Sequence, residues 1–434
     1  MMACEEVRMK WVANPKSLKT STVTAHRDGR SHPIRGRAPA VREVTFTPSE
    51  LYGAIARCSH LHVVDPSIVT EESEIYRNLI SQHVAEENAD FAILATADRL
   101  KDYSARHMTG VVGDGLAYLQ MTRDGYDWFD HFENLPLLGS PATARSPDFV
   151  FSRRGDPTVA ISESKATRGN SRERFNQTVS KAYVEQVSPY LGLTFGSSVA
   201  SHGFAIGSYL TSNRRAELLI HHTATDEASD RVDEGSDPSA VRLGNYTNIL
   251  SLLFGAEASR SFQLGLLPFR DRVFPSVRWL GRQWLIGVPS RLRKHLGEDF
   301  DELVWLSRRW LPWRATGWPR FALDLQIAKL AFRALERPAE AREALNSIPE
   351  MPSGLVDEAR RSGGAIFPDG FAVLADDPTP ESIVVRPIET GSEVAQVAAE
   401  LQTQSVIVDQ YDLSREPRIE RVEEPQLMQI RITE

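Results

Sequence analysis

Apolar residues recur along this chain at helical spacing in some stretches and alternate with polar ones in others, and the switches between the two patterns divide it. Residues 67–105 carry helical periodicity in Ile75, Leu79, Ile80 and Val84, then Phe91, Leu94 and Ala95, with Glu71, Glu72 and Glu74 suited to a first turn. A helix is expected from near Asp114 to just before Asp124-Gly125. Two strand-like runs follow, 148–151 and 159–165, joined by a turn at Gly155-Asp156-Pro157. A second helix spans roughly 172–190, with Phe175, Val179, Tyr183 and Gln186 on one face. Runs 204–210 and 216–221 again read as strands. The order helix, strand, strand, helix, strand predicts an α/β unit with a mixed central sheet flanked by helices.

The remaining segments set the domain organisation. Residues 1–66 read as an N-terminal arm or extension, with basic spots at Arg27, Arg30, Arg35 and Arg37, and 67–222 as the α/β core. Residues 223–240 are nearly devoid of apolar side chains and read as a polar linker. A mainly helical accessory domain is expected over 241–370, with one strand-like run at 282–288 and a hairpin around Pro368-Asp369-Gly370 in 365–375. Residues 371–434 form an acidic tail with strand candidates at 382–385 and 405–408.

The strand-like pair 148–151 and 159–165 carries the most chemistry. Side chains two apart on a strand share a face, so Glu163 and Lys165 project with Val159 and Ile161. If the turn closes a hairpin, Asp148 is brought to the same place. Two carboxylates and an ammonium meet the needs of phosphodiester hydrolysis. A hard cation such as Mg²⁺ prefers one or two carboxylates plus water and phosphate oxygen. Asp148 and Glu163 would be its ligands, with the Ser164 carbonyl as a third. Lys165 would hold or help deprotonate the attacking water, or contact the scissile phosphate.

Pro147-Asp148 and Glu163-Ser164-Lys165 together resemble the signature of the PD-(D/E)XK nuclease superfamily. The resemblance covers roughly Tyr76 to His222. It implies a restriction-endonuclease-like core, Mg²⁺ as cofactor with Mn²⁺ as a substitute, and DNA, ahead of RNA, as substrate. It also implies an acidic residue on the preceding helix, a place that Asp114 takes as a further catalytic and metal-binding candidate. In the RecB-like exonuclease branch a Gln-x-x-x-Tyr motif follows. Gln186 and Tyr190 match it, with Pro189 as a departure that kinks the helix or starts a new one near Ser188. The biological roles implied are restriction, phage defence or repair. A catalytically silent relative that binds nucleic acid or a partner, and a toxin-like effector, are the rival readings.

Composition adds four points. Eight lysines stand against forty-two arginines, so a chain that carries its positive charge on Arg keeps Lys165 where a compact ammonium is useful. The net charge of −8 is concentrated in residues 371–434, leaving the first 370 residues neutral and able to bear a basic groove. Two cysteines and an N-terminus without an apolar core predict cytoplasmic residence with reduced thiols, and no apolar run suits a membrane span. The segment 303–321 interleaves Trp305, Trp310, Trp313 and Trp318 with Arg308, Arg309, Arg314 and Arg320. It reads as a nucleic-acid surface, a protein contact or a packed helix. The oligomeric state stays open, although cutting both strands of a duplex would favour a dimer.

Other constellations carry less. Cys58-x-His60-x-His62 would share one face of a strand, but lacks a fourth ligand for structural zinc. His131 reads as packed, and His221-His222 as a strand end with no visible partner.

Overall fold

The computed structural model describes residues 10–26, 41–61, 63, 66–135, 137–138, 145–211, 216–224, 236–256, 259, 273–287, 320–375 and 383–387. Strands β1 (Lys16–Ala25), β2 (Glu43–Phe46), β3 (Trp128–His131), β4 (Leu137–Leu138), β5 (Phe149–Ser152), β6 (Val159–Thr167), β7 (Thr194–Phe195), β8 (Ser198–Tyr209) and β9 (Glu217–Ala224) form one mixed sheet. Its main path runs β2-β1-β9-β8-β6-β5-β3. The expected hairpin is present: β5 and β6 pair antiparallel, with Phe149 opposite Ser162 and Phe151 opposite Ala160. Gly155 in the connecting turn takes φ 72°, a conformation natural only to glycine. Beyond the hairpin β6 continues alone beside β8, parallel to it as far as Thr167 opposite Tyr209. The last residues of β6, from Glu163 on, therefore have a strand on one side only.

Helices cover both faces. On one lie α1 (Pro48–Cys58), α2 (Pro66–Gln82) and α3 (Asp102–Arg123). A reciprocal capping box starts α1: Glu50 N–H donates to Thr47 Oγ1 at 3.3 Å, and Thr47 N–H to the Glu50 carboxylate at 2.9 Å. On the other face lies α4 (Arg172–Ala182), whose Phe175 and Val179 pack with Val150, Val159 and Ile161. Gly207 of β8 lets α4 sit this close, since a Cβ there would stand 2.3 Å from Val179.

A six-stranded antiparallel sheet follows, in the order β13-β14-β12-β11-β10-β15. Its strands are β10 (Val273–Trp279), β11 (Arg282–Ile286), β12 (Phe321–Asp324), β13 (Ala365–Ile366), β14 (Phe371–Val373) and β15 (Ile383–Pro387). Helices α5 (Ser239–Phe254), α6 (Leu325–Glu336), α7 (Ala341–Asn346) and α8 (Ser353–Arg361) accompany it. One hydrophobic cluster runs from Leu18, Ile55 and Leu116 through Tyr246 to Trp284, Phe332 and Phe371, so the two sheets share a core. Among the described residues no helix is long and apolar enough to cross a membrane.

Several expectations change here. Residues 16–58, set apart in the sequence as an extension, supply two sheet strands and a helix packed on α3. The strand β1 is full of Thr, Ser and Lys and is half exposed along most of its length, so it carries little alternation to read. The region expected as mainly helical holds a sheet as well as helices, because four-residue runs such as Phe321–Asp324 cannot be told from helix by periodicity. Residues 371–375 and 383–387 of the expected tail are sheet residues or flank them. The helical pattern of 67–105 breaks after Gln82 and resumes as a 3₁₀ turn, Ala95–Arg99, and then α3; Phe91 and Leu94 belong to irregular chain between, with Phe91 N–H donating to Ser17 O of β1 at 2.8 Å. The arginines at 27, 30, 35 and 37, residues 303–319, and the rest of the tail lie outside the described residues.

Candidate active site

The site forms where β5 has ended and β6 runs on. Asp148 immediately precedes β5, and its N–H donates to Ser162 O at 3.1 Å, which holds it in register. Its carboxylate accepts from Ser164 N–H at 2.8 Å, taking the place that a further β5 residue would have filled. Ser164 is buried, and its peptide N–H is its contact to Asp148. Glu163 points to the α4 face with no side-chain exposure, while Lys165, two residues on, is one-third exposed. The Lys165 ammonium donates to Glu163 Oε1. That same oxygen accepts from Gln186 Nε2 at 2.7 Å, and Gln186 Nε2 also reaches Ser146 O at 3.0 Å. Glu163 Oε2 is buried and, among the described residues, no N–H or hydroxyl donates to it; the Asp148 carboxyl lies close enough to share a proton with Glu163.

Asp114 arrives from the opposite face of the sheet. It lies in the middle of α3, so it is neither a cap nor a first-turn acid. Its neighbour Gly113 brings the helix against β6: a Cβ there would stand 2.4 Å from Ala166 Cβ. The Ser164 hydroxyl lies toward Asp114, outside good hydrogen-bond geometry but close enough to favour its charged form.

The electrostatics couple the three acids. Burial, then the neighbouring Asp148 carboxylate, push Glu163 up to about 8, against the pull of Lys165. Burial, then Asp148 again, push Asp114 up to about 7. Asp148 itself is raised by burial, opposed by the Ser164 N–H and Lys165. Buried acids with too little positive charge around them have raised pKa values. Among the described residues, no three His, Cys, Asp or Glu side chains stand as a ready-made metal cage. The donor set still suits a hard cation. It offers three clustered carboxyl groups beside one lysine, and their raised pKa values record how strongly they crowd one another.

Gln186 and Tyr190 part company. After Ala182 the helix widens into a π turn, Tyr183–Val187, then tightens into a 3₁₀ turn, Ser188–Tyr190, starting one residue before Pro189. The π turn directs Gln186 to Glu163. Tyr190 instead is buried against Phe132, ring centroids 4.9 Å apart, and stands apart from the acids in the sheet.

The other sequence candidates fall elsewhere. Cys58 ends α1 rather than sitting on a strand; it is buried, with Asp114 and Asp148 near enough to push its thiol up further, after burial itself. His60 pairs with Glu72 at 3.2 Å, and His62 lies outside the described residues. His131 is buried between the rings of Phe129 and Phe149. His221 does have partners: His26 at 2.6 Å and Asn176 at 2.9 Å. Gly113 was missed in the sequence. Its signal, a glycine inside an apolar helical face, identifies a close approach but not the strand approached.

Comparison with known proteins finds no family model, no curated protein and no solved structure that matches this chain.

Proposed function

We propose that this protein is a metal-dependent nuclease that hydrolyses phosphodiester bonds in DNA, with Asp148 and Glu163 as the metal-holding pair. The observation that carries the reading is the meeting of two carboxyl groups, Glu163 and Asp148, close enough to share a proton, under a lysine that reaches solvent. With its pKa raised to about 8, the Glu163 carboxyl holds a proton near neutral pH, and a bound cation would take that proton's place between the two acids. Mg²⁺ at that place would neutralise phosphate charge and make a bound water more acidic. Asp148 and Glu163 would hold it, with Asp114 assisting from α3. Lys165 is the group placed to orient or deprotonate the attacking water. Gln186 keeps the Glu163 carboxylate turned toward Asp148 by holding one of its oxygens.

The experiment is degradation of plasmid and linear DNA with Mg²⁺, with Mn²⁺ and with EDTA. Cleavage that needs the metal, and is lost in Glu163→Gln and Lys165→Ala variants that keep the parent's fold, supports the reading. Equal cleavage by both variants removes the site assignment. The ion pair tying Lys165 to Glu163 favours one alternative, a silent relative that binds without cutting. Retained DNA binding with no cleavage by either metal would establish it.

A further inference from the structure

The face of α3 that ends at Asp114 continues outward as an exposed stripe. Positions 103, 106, 107 and 110 fall on the same side of the helix as 114, spaced by three and four residues. Tyr103 is 79% exposed, more than any other large hydrophobic side chain among the described residues. Its ring stacks on His107 with centroids 5.7 Å apart and planes 12° from parallel. His107 is itself held by the Tyr76 hydroxyl, so the aromatic pair has a fixed base. Arg106 and Lys101 are exposed beside it, with Asp102 as the acid between them. At Gly110, one turn short of Asp114, a Cβ would meet nothing within 4 Å among the described residues, so among them the helix surface is bare where the stripe nears the acids.

We propose that this stripe is the track on which an unpaired nucleic-acid strand reaches the acids, with Tyr103 as a stacking platform and Arg106 as a phosphate contact. The inference rests on the nuclease reading and names its substrate form. A flat, exposed, immobilised ring suits an unstacked base, and a single strand offers bases free to stack where a duplex does not. Arg106 supplies charge complementarity to phosphate. From Tyr103 to Asp114 the helix rises about 16 Å, so a base on Tyr103 and the scissile bond would belong to one short stretch of strand.

The test is binding of a labelled single-stranded DNA, the same sequence as RNA, and the matching duplex, all to the full chain without divalent cation. Tyr103→Ala should weaken single-strand binding by about 5- to 150-fold, the range of one lost base stack. Tyr103→Phe should keep most of the parent's affinity. Arg106→Gln should weaken binding and flatten its salt dependence by about one counterion. Parent-like binding by Tyr103→Ala and Arg106→Gln overturns the proposal, as does a parent that prefers the duplex. The two readings fail separately. Metal-dependent cleavage with parent-like binding by Tyr103→Ala removes only the track. Weakened binding by Tyr103→Ala without cleavage by any variant removes only the catalytic reading.

Discussion

Two Pro-Asp pairs in this chain lead to aspartates with opposite surroundings, Asp148 half-buried and Asp369 fully buried. Asp369, in the turn between β13 and β14, meets Arg57 of α1 with both side chains fully buried. One carboxylate oxygen accepts from Arg57 and from Asn245 Nδ2 at 3.1 Å, and the other from Phe371 N–H at 3.1 Å. The Arg57 guanidinium also donates to Asn245 at 2.6 Å and Tyr118 at 3.1 Å, and lies over the rings of Phe129 and Phe371. Charge is matched there, although Arg57 Nε finds no acceptor among the described residues, and the network fastens the second sheet to the first. At Asp148 three acids face one partly exposed lysine, and Glu163 and Asp148 lie close enough to share a proton. The first site is arranged to be stable as it is. The second crowds its acids around a single lysine.

The largest effect expected from this contrast is on catalysis. Loss of Lys165 as water-handling group should lower cleavage by about 10²- to 10⁴-fold, measured as initial rate at saturating Mg²⁺. Arg57→Ala should leave a far smaller mark on the rate of whatever protein stays folded. Equal losses in the two variants would erase the distinction between the sites.

Stability should show the reverse order. Arg57→Ala leaves Asp369 buried without its cation and should cost about 3–5 kcal/mol in denaturant unfolding. Asp148→Asn removes a charge that crowds Glu163, so the metal-free variant should be as stable as the parent or more so. A large destabilisation by Asp148→Asn would mean that the acids are structural.

The pH dependence sharpens the same point. Glu163 and Asp114 have folded pKa values raised to about 8 and about 7, so the folded chain holds their protons longer than the unfolded chain does. Their contribution to stability is therefore complete below the ordinary carboxylate range and is lost as pH rises through those raised values. The metal-free protein should lose melting temperature between about pH 4.5 and pH 8 on this account. Glu163→Gln should flatten the upper part of that decline, and Mg²⁺ should stabilise the parent more at pH 8 than at pH 5. A parent and a Glu163→Gln variant with parallel profiles would contradict the coupling.

These outcomes also mark what the sequence could and could not disclose. The β5–β6 hairpin was legible because its signals are local: Val159 and Ile161 set the face, Gly155 the turn, and two-residue spacing the direction of Glu163 and Lys165. Asp369 was visible only as a turn former, since its partner Arg57 is more than three hundred positions away. Burial of an arginine leaves no periodic trace. Parts of the second sheet were legible, as the strand run at 282–288, the hairpin in 365–375 and the candidate at 382–385, but their assembly was not, since β12 meets β14 and β10 meets β15 across long separations. The approach of α3 to β6 at Gly113 depends on tertiary packing in the same way. Gly113→Ala should cost about 1–3 kcal/mol, read from chemical denaturation, although alanine is the better helix former.

The smallest effect separates Gln186 from Tyr190, which the motif places together. If both act on the acids, removing either polar group should slow cleavage. Of these two, Gln186 is the one that touches Glu163 in the structure, while Tyr190 fills the core beside Phe132. Gln186→Leu should therefore slow cleavage measurably while leaving the fold intact, because the Glu163 carboxylate loses the donor that fixes its orientation. Tyr190→Phe keeps the ring and its packing, so its rate should match the parent's and its stability should change by less than about 0.5 kcal/mol. A Tyr190→Phe variant as slow as Gln186→Leu would mean that the phenol swings to the acids during the reaction. The π turn at Tyr183–Val187 would then be a hinge rather than a fixed support.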